Sequence, residues 1–139
     1  MNELSIITNY IITQFSANTM VNTIAFEKTQ EMDYQKGNIY PLVNIDILNS
    51  VVTPNDVQVN YTITVVEARD VDNELNNDKI YSSNLIDNLN ECHSIASRFI
   101  SVLQGQNNDE LIEINTLSEI RFLKLYNALD GVRWDIRLS

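Results

Sequence analysis

Asp56-Val57-Gln58-Val59-Asn60-Tyr61-Thr62-Ile63-Thr64-Val65-Val66 decides the fold. Val57, Val59, Tyr61, Ile63 and Val65 alternate with Gln58, Asn60, Thr62 and Thr64, the period-2 signature of a strand with one buried and one polar face. Beyond a polar stretch, Leu85, Leu89, Cys92, Ala96, Phe99 and Leu103 recur at spacings of four and three. That stripe belongs to a helix lying on a sheet. Together they predict an α+β domain, with a mainly antiparallel sheet, an N-terminal helix and one long central helix packed on one face.

Outward from this centre, residues 3–16 read as the first helix, with Leu4, Ile7, Ile11 and Phe15 on one face and Ile6 and Tyr10 widening it. Asn18 is its expected stop, because Asn tolerates a left-handed helix end. Residues 21–28 read as a short strand with Ile24 and Phe26 pointing one way. Residues 39–48 read as a second strand, with Val43, Ile45 and Ile47 opposite Asn44 and Asp46, and Pro41 near its start. Residues 49–55 read as a turn into the long strand, and the strands are expected to form an antiparallel meander. Residues 29–38 and 67–79 are polar loops, the second with Glu67, Asp70, Asp72, Glu74 and Asp78 against Arg69 and Lys79. Ser82 or Ser83 is placed to cap the long helix, Asp87 suits its first turn, and Gly105 its end.

After that helix, residues 111–114 read as a short strand and 117–126 as another, with Ile120 and Phe122 on one face and Leu123 and Leu125 on the other. Asp130-Gly131 is a turn signal. The last strand then places Val132, Trp134, Ile136 and Leu138 inward and Arg133, Asp135 and Arg137 outward.

With 139 residues the chain fits one domain, able to bury about two-thirds of its unfolded surface without metal or disulfide. Its net charge is −10, with nine scattered Lys and Arg. Nucleic-acid binders need those residues clustered, so sequence-specific DNA or RNA binding is not expected. An acidic channel wall, by contrast, repels phosphate and lets a duplex slide. No apolar run approaches the ~18 residues of a membrane span, and Met1-Asn2-Glu3-Leu4 lacks the basic start of a signal peptide. The expected setting is a cytoplasm, or a particle assembled in one.

Catalytic chemistry needs a positioned base. The single histidine, His93, lies off the apolar stripe with no orienting partner in view, and the single cysteine, Cys92, reads as a small buried hydrophobe. As neighbours on a helix they point apart, which does not build a zinc site. Asp70-Val71-Asp72-Asn73-Glu74 is similar to the start of a calcium loop, but Leu75 and Tyr81 stand where glycine and glutamate belong. Gly37, Gly105 and Gly131 are isolated, so no phosphate-cradling loop is encoded. Asn60-Tyr61-Thr62 matches a glycosylation sequon, placed mid-strand. Trp134 reads as a core plug. No catalytic, cofactor or metal residue is expected. The charges on Arg133, Asp135 and Arg137 are suited to protecting or specifying a strand that meets another copy.

The order of elements, with Tyr40-Pro41-Leu42-Val43-Asn44-Ile45, the long strand and Leu129-Asp130-Gly131-Val132-Arg133-Trp134-Asp135-Ile136, resembles the tail-terminator and neck proteins of tailed bacteriophages. It is similar to small virion proteins of crAss-like phages that infect gut bacteria. The resemblance implies a non-enzymatic head–tail connector assembled in the bacterial host. It implies a six- or twelvefold ring of identical subunits around the DNA channel, touching portal, neck or tail proteins, with no membrane contact and no cofactor. Glu67, Arg69, Asp70, Asp72, Glu74, Arg133, Asp135 and Arg137 are then the candidate contact residues. The competing reading is a small acidic cytoplasmic adaptor or inhibitor whose acidic loop docks a basic protein.

Overall fold

The computed structural model describes residues 3–28, 40–68, 85–105, 112–125 and 129–139. The order is α1 (Leu4–Ser16), β1 (Thr23–Ala25), β2 (Leu42–Thr53), β3 (Asp56–Ala68), α2 (Leu85–Gln104), β4 (Ile114–Leu117), β5 (Arg121–Leu125) and β6 (Leu129–Leu138). The architecture is α+β, as the alternation and the helical stripe require. The sheet runs β1-β2-β3-β6-β4, and β5 also pairs with β6.

The strand that opened the reading is the middle of the sheet. β3 pairs antiparallel with β2 on one side, from Leu42↔Val66 to Thr53↔Asp56, and with β6 on the other, from Val59↔Leu138 to Ala68↔Leu129. Val59, Tyr61, Ile63 and Val65 are fully buried, and so are Val132, Trp134 and Leu138 across the register. Ile7, Tyr10, Ile11 and Phe15 of α1 share one core with Cys92, Ile95, Ala96, Phe99 and Leu103 of α2 and with these strand residues. An aromatic chain links the layers. Phe15 stacks on Phe99 with ring centroids 4.4 Å apart, and Phe99 leans on Trp134 at 6.3 Å. Each buried large side chain contributes about 1.5–3 kcal/mol of hydrophobic stabilisation, so this one-sided core holds the domain together.

Several expectations change. α1 ends at Ala17 in a right-handed conformation. Asn18 acts through its side chain instead, its Oδ1 accepting the Met20 N–H at 3.0 Å. β1 has only three residues and runs parallel to β2, Thr23↔Leu42 to Ala25↔Asn44, where a meander was expected. Its anchor is a side chain: Asn44 accepts from the Glu27 N–H at 2.9 Å and donates to the Glu27 carbonyl at 3.0 Å.

Residues 49–53 are strand, not turn. The register slips between Ile47 and Asn49, leaving Leu48 as the extra residue of a bulge. Only Pro54 and Asn55 form the turn, and the Thr53 hydroxyl donates to the Asp56 carbonyl at 3.2 Å. Asp130 and Gly131 likewise lie inside β6. Gly131 is there because β3 passes so close that an added Cβ would sit 2.0 Å from the Val65 carbonyl oxygen. The glycine serves close backbone approach, not a turn.

β4 and β5 are two pieces of one edge strand laid along β6, from Ile114↔Leu138 to Leu125↔Leu129. Ser118 spans the break: its N–H donates to the Asp135 carbonyl at 2.9 Å and its Oγ accepts the Asp135 N–H at 2.8 Å. On the far face Leu42, Val66 and Leu129 form a second small buried cluster with Tyr40 and Ala25. They fall out of phase with the main stripe and were not anticipated as core.

Candidate functional site

The outward row of β6 lies as expected on the face away from the helices, and there it bonds its own neighbours. Arg133 Nε donates to Thr64 Oγ1 at 3.0 Å and Arg137 Nε to Asn60 Oδ1 at 2.8 Å. Asp135 Oδ1 accepts from Thr62 Oγ1 at 2.6 Å, and its Oδ2 meets Arg121 Nη2 at 3.5 Å. The Asn60 amide also donates to Asn49 Oδ1. These are register pairs: Asn60↔Arg137, Thr62↔Asp135 and Thr64↔Arg133. Such cross-strand pairs stabilise a sheet by about 0.2–1 kcal/mol each. They also lock the guanidinium groups flat, with Arg133 and Arg137 half-buried. The Arg121–Asp135 pair is well exposed and adds little.

Glu67 lies on the other side. It shares the phase of Ile63 and Val65, at the end of β3 under α2. Burial there pushes its carboxyl above the ordinary range. An N–H from Ala68 at 3.0 Å opposes that shift, and the charge of Glu91 adds to it. The structure therefore separates Glu67 from Arg133, Asp135 and Arg137 by the thickness of the sheet. Arg69, Asp70, Asp72 and Glu74 lie outside the described residues.

Cys92 is fully buried, its Sγ donating to the Asp130 carbonyl at 3.8 Å. Burial first, and then the charges of Glu67, Glu91 and Asp130, push the thiol up to about 12. Reactive cysteines need the opposite surroundings. Asn88, on the next turn of α2, donates to the Ala68 carbonyl at 3.0 Å and to Asp130 Oδ2 at 3.4 Å. It pins α2 to both central strands, a role that the polar identity of Asn hid within the apolar stripe. His93 is half-buried, with Nδ1 3.3 Å from Ser97 Oγ and its ring stacked on Phe122 at 5.8 Å. Trp134 is fully buried, as a core plug should be.

Two apolar surface regions involve none of the candidate contact residues. The first is the outer half of the β2–β3 hairpin. β3 pairs with β6 only from Val59 onward, and Val59 lies opposite Ser50 of β2, so residues 51–58 project as a two-stranded arm. Val51 and Val52 are exposed there, Val52 at 72%, as are Ile47 and Leu48 on the stretch of β2 that leads into the arm. Its signal was available: two β-branched runs, Val51-Val52-Thr53 and Val57-Gln58-Val59, flank a two-residue turn. The second is a shallow groove between α2 and β5, lined by Ile86, Leu89, Asn90, His93 and Phe122. Phe122 is on the helix side, as its register with Val132 requires, but it lies beside α2 and not under it, and stays 58% exposed.

Among the described residues no three His, Cys, Asp or Glu side chains gather where they could hold a metal ion, and no helix is long and apolar enough to cross a membrane. No protein-family model matches the chain. Comparison with curated protein sequences finds no match either.

Proposed function

We propose that the chain is a structural virion protein, one subunit of a ring in the neck or tail of a bacteriophage, joining the portal side to the tail around the DNA channel. The observation that supports this reading best is the placement of the sheet's open edges. Among the described residues no strand pairs with the side of β2 away from β3 beyond Asn44, and none pairs with the outer side of β4 and β5. A rigid subunit with different open edges on opposite sides is suited to head-to-tail contacts, which close into a ring when the rotation closes.

The outward row of Arg133, Asp135 and Arg137 and the acidic stretch of Glu67, Arg69, Asp70, Asp72 and Glu74 are the charged contacts of this reading, with subunits or with adjacent portal, neck or tail proteins. They are separate contacts, since the row and Glu67 occupy opposite faces of the sheet. The duplex passes through without being gripped, because a net charge of −10 supplies no basic stripe for counterion release.

Native mass spectrometry and electron microscopy of the purified chain test the ring, and peptide counting in purified particles tests the location. Rings in solution and many copies per particle are expected. A chain that stays monomeric and is missing from particles would defeat the proposal. Duplex DNA should not shift the chain's anisotropy at low salt; tight binding that weakens steeply with added salt would point to a DNA-gripping role.

A further inference from the structure

We infer that the apolar arm of one copy, with the exposed stretch of β2 that leads into it (residues 47–53), docks on the α2–β5 groove of the next copy. This inference rests on the ring reading and names its interface. The arm is poorly designed for life in water. A lone two-stranded ribbon is marginal in stability, and natural sheet edges are blunted by Lys, Pro, bulges or inward charges; on this stretch only the bulge at Leu48 does so. Residues 47–53 carry no Lys, no Pro and no charge. Instead they show Leu48 at 50% and Val52 at 72% exposure along an edge with no strand partner among the described residues. An edge that invites pairing is a liability unless something covers it.

The same chain carries the complement. The groove belongs to the opposite edge of the sheet and to its opposite end: Phe122 pairs with Val132 near the start of β6, whereas the arm leaves the sheet where β6 finishes, at Val59↔Leu138. Its lining residues, Ile86, Leu89, Asn90, His93 and Phe122, include no carboxylate. Two different apolar patches at opposite corners of one subunit define a heterologous contact, and their separation keeps one arm from folding onto its own groove.

Charge selects this pairing over arm against arm. Residues 42–60 hold Asp46 and Asp56 and no Lys or Arg. Of the charges on β5, which forms one wall of the groove, the exposed Lys124 shares the face of Phe122, while Arg121 lies on the other face against Asp135. In a chain of net charge −10, arm on groove brings unlike charges together, while arm on arm brings aspartates together. The occupant is therefore a second copy, bound head to tail.

The test uses two single variants of the full chain, Val52→Glu on the arm and Phe122→Glu in the groove. Both side chains are exposed, so the monomer should keep its wild-type circular dichroism and melting temperature. Leu48→Glu and Ile86→Glu repeat the test from neighbouring positions if either first variant misfolds. Sedimentation velocity should show the wild type associating and each variant alone at least about tenfold weaker. An equimolar mixture of the two variants should form a complex of two copies and nothing larger, because only one arm and one groove remain intact between them. A Phe122→Glu chain that associates like wild type, a mixture that stays monomeric, or a wild type that stays monomeric at its highest soluble concentration would each overturn the inference. Rings that survive both variants would overturn this interface and leave the ring reading standing. Capped pairing in a chain missing from particles would do the reverse.

Discussion

β2 is one strand with two fates. From Leu42 to Ile45 every residue is buried, Asn44 included. From Ile47 to Thr53 every residue is exposed, including four aliphatic side chains, Ile47, Leu48, Val51 and Val52, that would suit a core. Intrinsic strand preference does not differ between the halves, since Val51-Val52-Thr53 is as good a strand sequence as Leu42-Val43. The difference is cover. The first half lies beneath the helices and beside β1, while the second has only β3 beside it and from Val51 on has run past the end of β6. Alternation specifies a pleated strand; burial depends on what the rest of the chain brings to each face.

The largest contrast between these regions comes from asking the covered one to accept a single extra atom. Gly131→Ala would place a methyl 2.0 Å from the Val65 carbonyl oxygen and 2.9 Å from a Val66 methyl. The first contact is backbone, so two central strands must separate. A loss of at least about 3 kcal/mol, at the upper end of overpacking effects, is expected in denaturant unfolding. A fully stable Gly131→Ala chain would mean that β3 and β6 do not approach so closely.

Deletion draws the contrast directly along β2. Ile45→Ala removes a fully buried side chain and should cost about 2–5 kcal/mol. Val52→Ala removes a side chain that is 72% exposed and should stay within about 0.5 kcal/mol. Equal losses at the two positions would show that the arm is covered in the monomer, and the comparison would collapse.

What the sequence revealed follows the same line. The period-2 run of β3, the outward Arg133, Asp135 and Arg137 of β6, and the buried stripe of α2 were readable because each depends on local periodicity. The Asp130-Gly131 pair was misread because a glycine chosen for close strand approach has the same letters as one chosen for a turn. The end of β2 was misread because Asn49-Ser50 and Pro54-Asn55 look alike as turn formers, yet only the second pair reverses the chain. The parallel β1 was hidden because Asn44 gives no sign that its side chain bonds the backbone of Glu27. The arm and the groove were missed for a deeper reason. Exposure is a property of the assembled layers, and Val52 and Ile45 are equivalent as letters.

A subtler probe of the covered region is its thiol. Burial and nearby carboxylates raise Cys92 to about 12 from an ordinary value of 9.0. The fold thus holds the neutral thiol, and its contribution is fully present below pH 9. It is lost as the pH rises toward 12, because the unfolded chain ionises first. Alkylation by iodoacetamide at pH 8 should therefore be far slower in the native chain than in the urea-unfolded one. Cys92→Ala should cost about 1 kcal/mol at pH 7 and flatten the alkaline stability limb in part, since Tyr40 and Tyr61 are also raised by burial. Rapid native labelling would expose α2 as loosely seated.

The smallest effect is expected where the covered region reaches its margin. Glu67 sits at the end of β3, and burial holds its carboxyl above the ordinary 4.5, with Glu91 adding to the shift and the Ala68 N–H opposing it. A raised carboxyl is most comfortable protonated. The sign is therefore the reverse of a salt-bridged acid: its contribution is fully present below about pH 4.5 and is lost as the pH rises through the folded value, where the buried charge costs stability relative to a neutral side chain. Glu67→Gln removes the charge, keeps an oxygen to accept the Ala68 N–H, and should raise the melting temperature at pH 7. The gain should shrink as the pH falls toward 4, where the wild-type carboxyl is itself neutral. Melting curves of the two chains at pH 4, 5.5 and 7 decide it. A gain that is constant across that range would reflect packing and not charge. A loss at pH 7 would mean that the Glu67 carboxylate has a stabilising cationic partner, and that this end of β3 belongs with the charged row of β6 and not with the covered core.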